Sequence, residues 1–293
     1  MEYVIKNKEL SAIIDSFGAQ LKSLKDNENG TEYLWSASPK YWGKTSPVLF
    51  PFIGVLKNNS FQYEGKNYSM TRHGFARDME FELREQGEDY LILGLKATEK
   101  TLESYPFLFD FELEHRLENK RLKVLWHIKN EGENTMYFSV GGHPAFACPP
   151  GEEGKRTDCF VKFEEKDEIV VTEIDMEKGL VTGQKHSVSL EQGILPISED
   201  LFAHDALVLE NHQCHAVELC DQKKQPYIKV EFDAPLVGVW SVADSSASYV
   251  CIEPWYGRCD SVDFEGEIKE RDWTNELEPG EVFEEGYVIS GLN

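Results

Sequence analysis

Apolar and polar residues alternate one by one over long stretches of this chain, and a repeat of two is the repeat of an extended strand rather than a helix. In LKVLWHIK, Leu122, Val124, Trp126 and Ile128 share one face, and in YIKVEFD, Ile228, Val230 and Phe232 alternate with Lys229, Glu231 and Asp233. Phe109, Phe111, Leu113, His115 and Leu117 repeat the pattern, as do Leu91, Leu93, Leu95 and Ala97 beyond the turn-like QGED at 86–89. Phe61 to Tyr63 and Tyr68 to Met70, with EGKN between them, read as a further short hairpin. No stretch keeps a 3.6-residue period beyond about two turns, and neither a low-complexity linker nor an internal repeat interrupts the chain. The expectation is an all-β protein, a large antiparallel β-sandwich in which residues 1–293 form one domain and loops or a concave face carry the function. The segment GEEGKRTD, 151–158, reads as an exposed loop within that domain.

Thirty basic against fifty-three acidic residues give a formal net charge of -23. Such a surface repels a nucleic-acid backbone and an anionic membrane, so neither is expected as a partner. The opening MEYVIKNKEL mixes polar and charged residues and reads as neither signal peptide nor membrane span. Cys148, Cys159, Cys214, Cys220, Cys251 and Cys259 form no CxxC pair and read as free thiols, which places the expected location in the reducing cytoplasm.

Most of the eight histidines need no functional account. His115 and His127 fall inside alternating strands, His186 lies in a polar stretch, and His212, Cys214 and His215 in NHQCH lack a second ligand pair at a familiar metal spacing. Two stand apart. His143 lies in GGHPAF, where two glycines and a proline read as a turn, and His73 lies in TRHGFARD between Arg72 and Arg77, cations that would keep it neutral. In YVCIEPWYGRCD, Glu253 reads as the end of an apolar strand that Pro254 stops, a carboxylate able to point out of the sheet beside Trp255 and Tyr256, aromatic faces suited to sugar rings. Asp205, in LFAHDALVLE, precedes an apolar run and is open to either a structural or a binding reading.

Taken in order, SPVLFPFIG (46–54), RHGFAR (72–77), GGHPAF (141–146), HDALVL (204–209) and CIEPWYG (251–257) resemble the aldose 1-epimerase, or galactose mutarotase, family, in its LacX-like bacterial branch. The resemblance implies a galactose mutarotase-like β-supersandwich that interconverts the α and β anomers of a small-molecule aldose with neither metal nor organic cofactor. It implies that His143 acts as general acid on the ring oxygen, Glu253 as general base on the anomeric hydroxyl, and His73 as a second active-site histidine that holds the sugar and shares the acid role. It further matches Asp205 to a carboxylate that binds sugar hydroxyls, and Arg77 to the arginine of this block in hexose-6-phosphate epimerases.

These residue types suit the chemistry. Opening a pyranose hemiacetal takes a proton from O1 and gives one to O5, after which the C1–C2 bond rotates and the ring closes on the other face. A glutamate tuned upward by partial burial and a histidine near its ordinary pKa meet that need. Two departures leave the substrate open. Where galactose mutarotases place a substrate-binding arginine, the nearest cation here is Lys57 in GVLKNN, and before the proline-containing block, where the hexose-6-phosphate enzymes carry an arginine, the chain has GKTSP with Lys44. Arg72, Arg77 and Lys44 could bind a phosphate or sugar hydroxyls, and a non-catalytic carbohydrate-binding protein is the alternative from another class.

Overall fold

The computed structural model describes residues 1–151 and 154–292. A nine-stranded sheet runs, in spatial order, through Ile194–Pro196, Phe160–Phe163, Ala216–Cys220, Pro226–Phe232, Val282–Gly291, Arg121–Asn130, Phe109–Glu118, Tyr90–Lys96 and Glu82–Gln86. An eight-stranded sheet runs through Leu180–Ser189, Glu168–Asp175, Leu207–Leu209, Leu236–Trp240, Tyr249–Tyr256, Val140–Gly142 and Val48–Leu49, with Ala145–Ala147, its eighth strand, off that path and paired to Tyr249–Tyr256. The first three strands, Glu2–Lys6, Leu10–Asp15 and Gln20–Asp26, form their own sheet. Every ladder between these strands is antiparallel, as the hairpin succession requires.

The alternation becomes burial in the expected phase. Along Arg121–Asn130, Leu122, Val124, Trp126 and Ile128 are all within 2 % of full burial, and they pack in one apolar cluster with Phe111 of the adjacent strand and with Val250 and Ile252 of the eight-stranded sheet. The two large sheets thus share a core, a β-sandwich. Among the described residues, helix is confined to Glu99–Ser104, whose start is closed by a reciprocal Thr98–Thr101 capping pair, and to short 3-10 turns.

Two details differ from the sequence reading. In the EGKN hairpin the strands are Ser60–Tyr63 and Lys66–Ser69, so only Glu64 and Gly65 form the turn, both with positive φ (49° and 72°), which is the two-residue connection that matches strand twist. In GEEGKRTD, Glu152 and Glu153 lie outside the described residues, and Arg156 is buried rather than exposed. Its guanidinium reaches the Ser241 hydroxyl and the Val242 carbonyl (3.1 Å).

His115 sits in the sandwich interior at 2 % exposure, and burial pushes its imidazole down from 6.5 to about 3. Between those two values the unfolded chain takes up a proton that the folded chain refuses, so stability falls as pH falls, by up to about 1.4 kcal/mol per pH unit for this group. In His115→Gln, the melting temperature followed from about pH 7 to about pH 4 should drop less steeply than in the parent chain. Parallel curves would remove His115 from that account.

Candidate active site

The strand Tyr249–Tyr256 is buried along its whole length, and its alternate residues part to two sides. Val250, Ile252 and Tyr256 enter the sandwich core, whereas Tyr249, Cys251, Glu253 and Trp255 face the other way. Val140 pairs with Tyr256 and Gly141 with Trp255; after a lapse over Gly142, His143 and Pro144, Ala145 pairs with Cys251. The register is the same on both sides of that lapse, so His143 stands directly opposite Glu253. Their side chains meet, with His143 Nε2 3.3 Å from Glu253 Oε2.

GGHPAF is therefore not a turn but an interrupted strand, and neither Gly141 nor Gly142 adopts a left-handed conformation. Packing explains the glycines. A Cβ on Gly141 would lie 2.8 Å from Trp255 and 2.9 Å from the Pro254 carbonyl oxygen, and one on Gly142 would lie 2.6 Å from the Tyr287 ring. Nor does Pro254 end its strand, which pairs on through Trp255 and Tyr256. Ile252 N–H donates to the Pro144 carbonyl (3.2 Å), so the missing N–H of Pro254, two residues on, faces that same edge where pairing has lapsed.

His73 arrives on a loop fastened to the 50–54 segment. The N–H groups of Phe75 and Ala76 both donate to the Phe50 carbonyl (3.0 and 3.1 Å), His73 N–H donates to the Gly54 carbonyl (2.8 Å), and Gly54 N–H donates to His73 Nδ1 (3.1 Å). That last bond makes Nδ1 an acceptor and leaves the ring proton on Nε2. Asp205, with φ 73°, lies just before Leu207–Leu209, and its Oδ1 accepts from Ala206 N–H (2.8 Å).

These elements close around a cleft of about 280 Å³, near the small end of the roughly 300–1,000 Å³ range of small-molecule sites. Of the residues expected from sequence, His73, His143, Glu253, Asp205, Trp255, Arg72 and Arg77 line it. Lys57 does not: its ammonium lies 3.8 Å from Glu265 and its N–H donates to Asp260 Oδ2 (2.8 Å). Lys44 is also absent from the lining, drawn to Asp78 at 3.1 Å. NHQCH assembles no metal site: Cys214 is core, and His212 and His215 are exposed.

Sequence reasoning missed Trp42, Trp240 and Arg258. Trp42 stacks on the His143 imidazole (centroids 4.8 Å apart, 27° between planes), while Trp240 and His73 present edges to it at 5.5 and 5.8 Å. Trp240 was findable, since it alternates with Gly238 on one face of LVGVW; Trp42 sits in a loop without period. Arg258, only 8 % exposed, donates to Glu210 (2.8 Å), Asp272 (2.6 Å) and the Cys259 carbonyl (2.9 Å).

Burial dominates the electrostatics. Glu253 is 1 % exposed, and desolvation pushes its carboxyl well above 4.5, with the Asp205 charge acting in the same direction and the Trp255 side chain against it. The His143 imidazole is not near its ordinary value as expected, because burial takes it down to about 3 and the Arg77 charge adds to that. His73 is lowered well below 6.5, first by burial and only then by His143, Arg77 and Arg72. Both members of the His143–Glu253 pair thus favour their uncharged forms. Among the described residues, the one group of three or more candidate metal ligands is His143, Cys251 and Glu253, with donor atoms within 4.8 Å of one another.

A family model described as Aldose 1-epimerase matches residues 1–290. The chain belongs to the aldose 1-epimerase family. Within it, this family member is 31% identical over 301 residues to the chromosomal LacX protein of Lactococcus lactis, the alignment covering 100% of both. A galactose mutarotase related enzyme from Lactobacillus acidophilus superposes with a TM-score of 0.94 at 32% identity, covering 100% of this chain and 98% of that one. A galactose mutarotase-like protein from Lactobacillus casei shares the fold at a TM-score of 0.92 and 23% identity, with 99% of each chain covered.

How this aldose 1-epimerase family member holds His73 can be tested at Gly74. Its φ is 72°, and a Cβ there would fall 2.2 Å from the Phe50 carbonyl oxygen. Gly74→Ala should cost about 1–3 kcal/mol in urea denaturation, from strain and overpacking against backbone. Unaltered stability would mean that the loop moves aside freely.

Proposed function

We propose that this protein, acting as one domain over residues 1–293, interconverts the α and β anomers of a hexose by acid and base catalysis at His143 and Glu253. The observation that carries the reading is the cross-strand pair itself, an imidazole and a carboxyl 3.3 Å apart in a small buried cleft, with Glu253 Oε2 lacking a hydrogen-bond partner. A cleft of about 280 Å³ suits one sugar ring better than a polymer, and the Trp255 indole offers that ring a face.

In the empty cleft burial favours neutral His143 and protonated Glu253. A sugar hydroxyl supplies the donor that Oε2 lacks, so the carboxylate gains stability on binding. The carboxyl proton then passes to His143 Nε2, leaving the net charge of the pair unchanged. Glu253 takes the proton of O1 as His143 gives its proton to O5, the C1–O5 bond breaks, and an aldehyde forms. Protonated Glu253 and neutral His143 are then the pair that closes the ring, in reverse, after rotation about C1–C2. Asp205 accepts from sugar hydroxyls. Each proton has a protein donor and acceptor, so the cycle as proposed calls on no metal or organic cofactor.

Arg72 and Arg77 in the cleft lining support a second reading, a hexose-6-phosphate 1-epimerase. Arg77 is partly committed, since its Nη2 donates to the Arg72 carbonyl (2.8 Å) and its Nε lies 3.5 Å from Asp78. NMR exchange or polarimetry with glucose, galactose and their 6-phosphates should give accelerated anomerisation that falls by roughly 10²- to 10⁴-fold in Glu253→Gln and in His143→Asn. Unchanged rates in both variants would sink these roles, and saturable sugar binding without turnover would mark a carbohydrate-binding protein instead. A preference for the phosphorylated sugar that is lost in Arg77→Ala would favour the second reading.

A further inference from the structure

Cys251 has no part in the acid and base cycle, yet it is fully buried on the same face as Glu253, two residues away along one strand. Its Sγ, His143 Nε2 or Nδ1 and a Glu253 carboxylate oxygen all lie within 4.8 Å of one another. These are one nitrogen, one sulfur and one oxygen, converging from two paired strands. A zinc-class ion takes such donors at about 2.0–2.3 Å in a tetrahedron, which spaces them roughly 3.3–3.8 Å apart. The Nε2 to Oε2 distance of 3.3 Å already has that value. Oxygen-preferring ions such as magnesium and calcium want more oxygens than this set provides.

A second observation points the same way. Glu253 Oε2 is buried without a hydrogen-bond partner, and an added dication would give it a partner. The cleft in front of His143 and Glu253 leaves a fourth position for water.

We propose that His143 Nε2, Cys251 Sγ and Glu253 Oε2 form a binding site for a zinc-class divalent cation, and that its occupancy withholds the acid and base groups from sugar. On binding, the Cys251 thiol gives up its proton to solvent, as does the Glu253 carboxyl where protonated, and His143 offers the Nε2 lone pair of its neutral ring. His143 Nδ1 has no partner to orient or strengthen the ligand, and the Arg77 charge bears on the same ring, so affinity stays below that of a structural zinc site. The cation is thus a reversible inhibitor rather than a cofactor.

The site is tested without turnover by titrating the full chain with Co²⁺ as a spectroscopic probe. A thiolate-to-cobalt charge-transfer absorption is expected, displaced by Zn²⁺, absent in Cys251→Ser and retained in Cys259→Ser, which alters the thiol that lines the cleft. Zn²⁺ affinity measured by competition should fall in Cys251→Ser and in Glu253→Gln by at least the roughly 10- to 100-fold that changes outside the ligand sphere already cost. Should Cys251→Ser not fold, Cys251→Ala and His143→Asn carry the same comparison. No absorption, or one that survives loss of Cys251, overturns the proposal. In the parent chain, Zn²⁺ should slow anomer exchange and a chelator restore it. A chain that turns sugar over when metal-free but gives no cobalt band on titration overturns the cation site alone, whereas a cobalt band in a chain that turns over no sugar even when metal-free overturns the epimerase reading and leaves the cation site standing.

Discussion

One cross-strand register organises this molecule: His143 opposite Glu253 on paired strands in the middle of a sheet. Leaving a polar atom such as Glu253 Oε2 buried and unpartnered costs about 1–3 kcal/mol, and the cost is tolerable because the strand that carries it is packed on both sides. Neighbouring positions are set by that choice. Gly141 makes way for the Trp255 indole and Gly142 for Tyr287, and Gly238, opposite Glu253, would with a Cβ lie 2.6 Å from Trp255. The small residues around the pair are spaces for aromatic rings, not hinges.

The loops are held to this floor by buried polar contacts at the cleft and beside it. Arg271 donates to Asp260 (2.6 Å) and Arg258 to Glu210 (2.8 Å), both arginines below 10 % exposure. Asp260 also accepts the Lys57 N–H, which fixes the turn after the 50–54 segment and carries the Lys57 side chain away toward Glu265. The ladder from Phe50 and Gly54 to the 73–76 loop does the same for His73. All but the Arg271–Asp260 pair join segments distant in sequence, so the cleft is a product of the tertiary fold.

That division explains what was legible beforehand. Strand alternation reports a local property, the side each residue faces, and it identified the sandwich and the strand of Glu253. GGHPAF misled because glycine and proline signal turns by their own backbone preferences, whereas here they meet a partner strand whose side chains need room and whose proline needs no donor. Lys57 and Lys44 were nominated from the position of cations in sequence, but Glu265 and Asp78, acidic neighbours that a single strand of text does not place, draw them aside. Trp42 was invisible for the same reason, lying on a loop 101 positions from the His143 ring it covers.

Trp42 in turn bears on how the proposed chemistry reconciles burial with charge. His143 makes no hydrogen bond at Nδ1, so the ring is oriented by the Trp42 stack and by the edges of Trp240 and His73 rather than by a carboxylate. A carboxylate partner would hold the imidazole charged at rest, and an aromatic face does not. Yet the same indole stabilises a passing imidazolium by a cation–π attraction of about 0.5–2 kcal/mol, an interaction that strengthens as charge appears and is weak in the neutral ring. In the proposed cycle burial keeps the pair neutral until sugar arrives, and the tryptophan favours the charged state over the neutral one, which places its benefit where a catalyst needs it, after substrate binding and before ring opening.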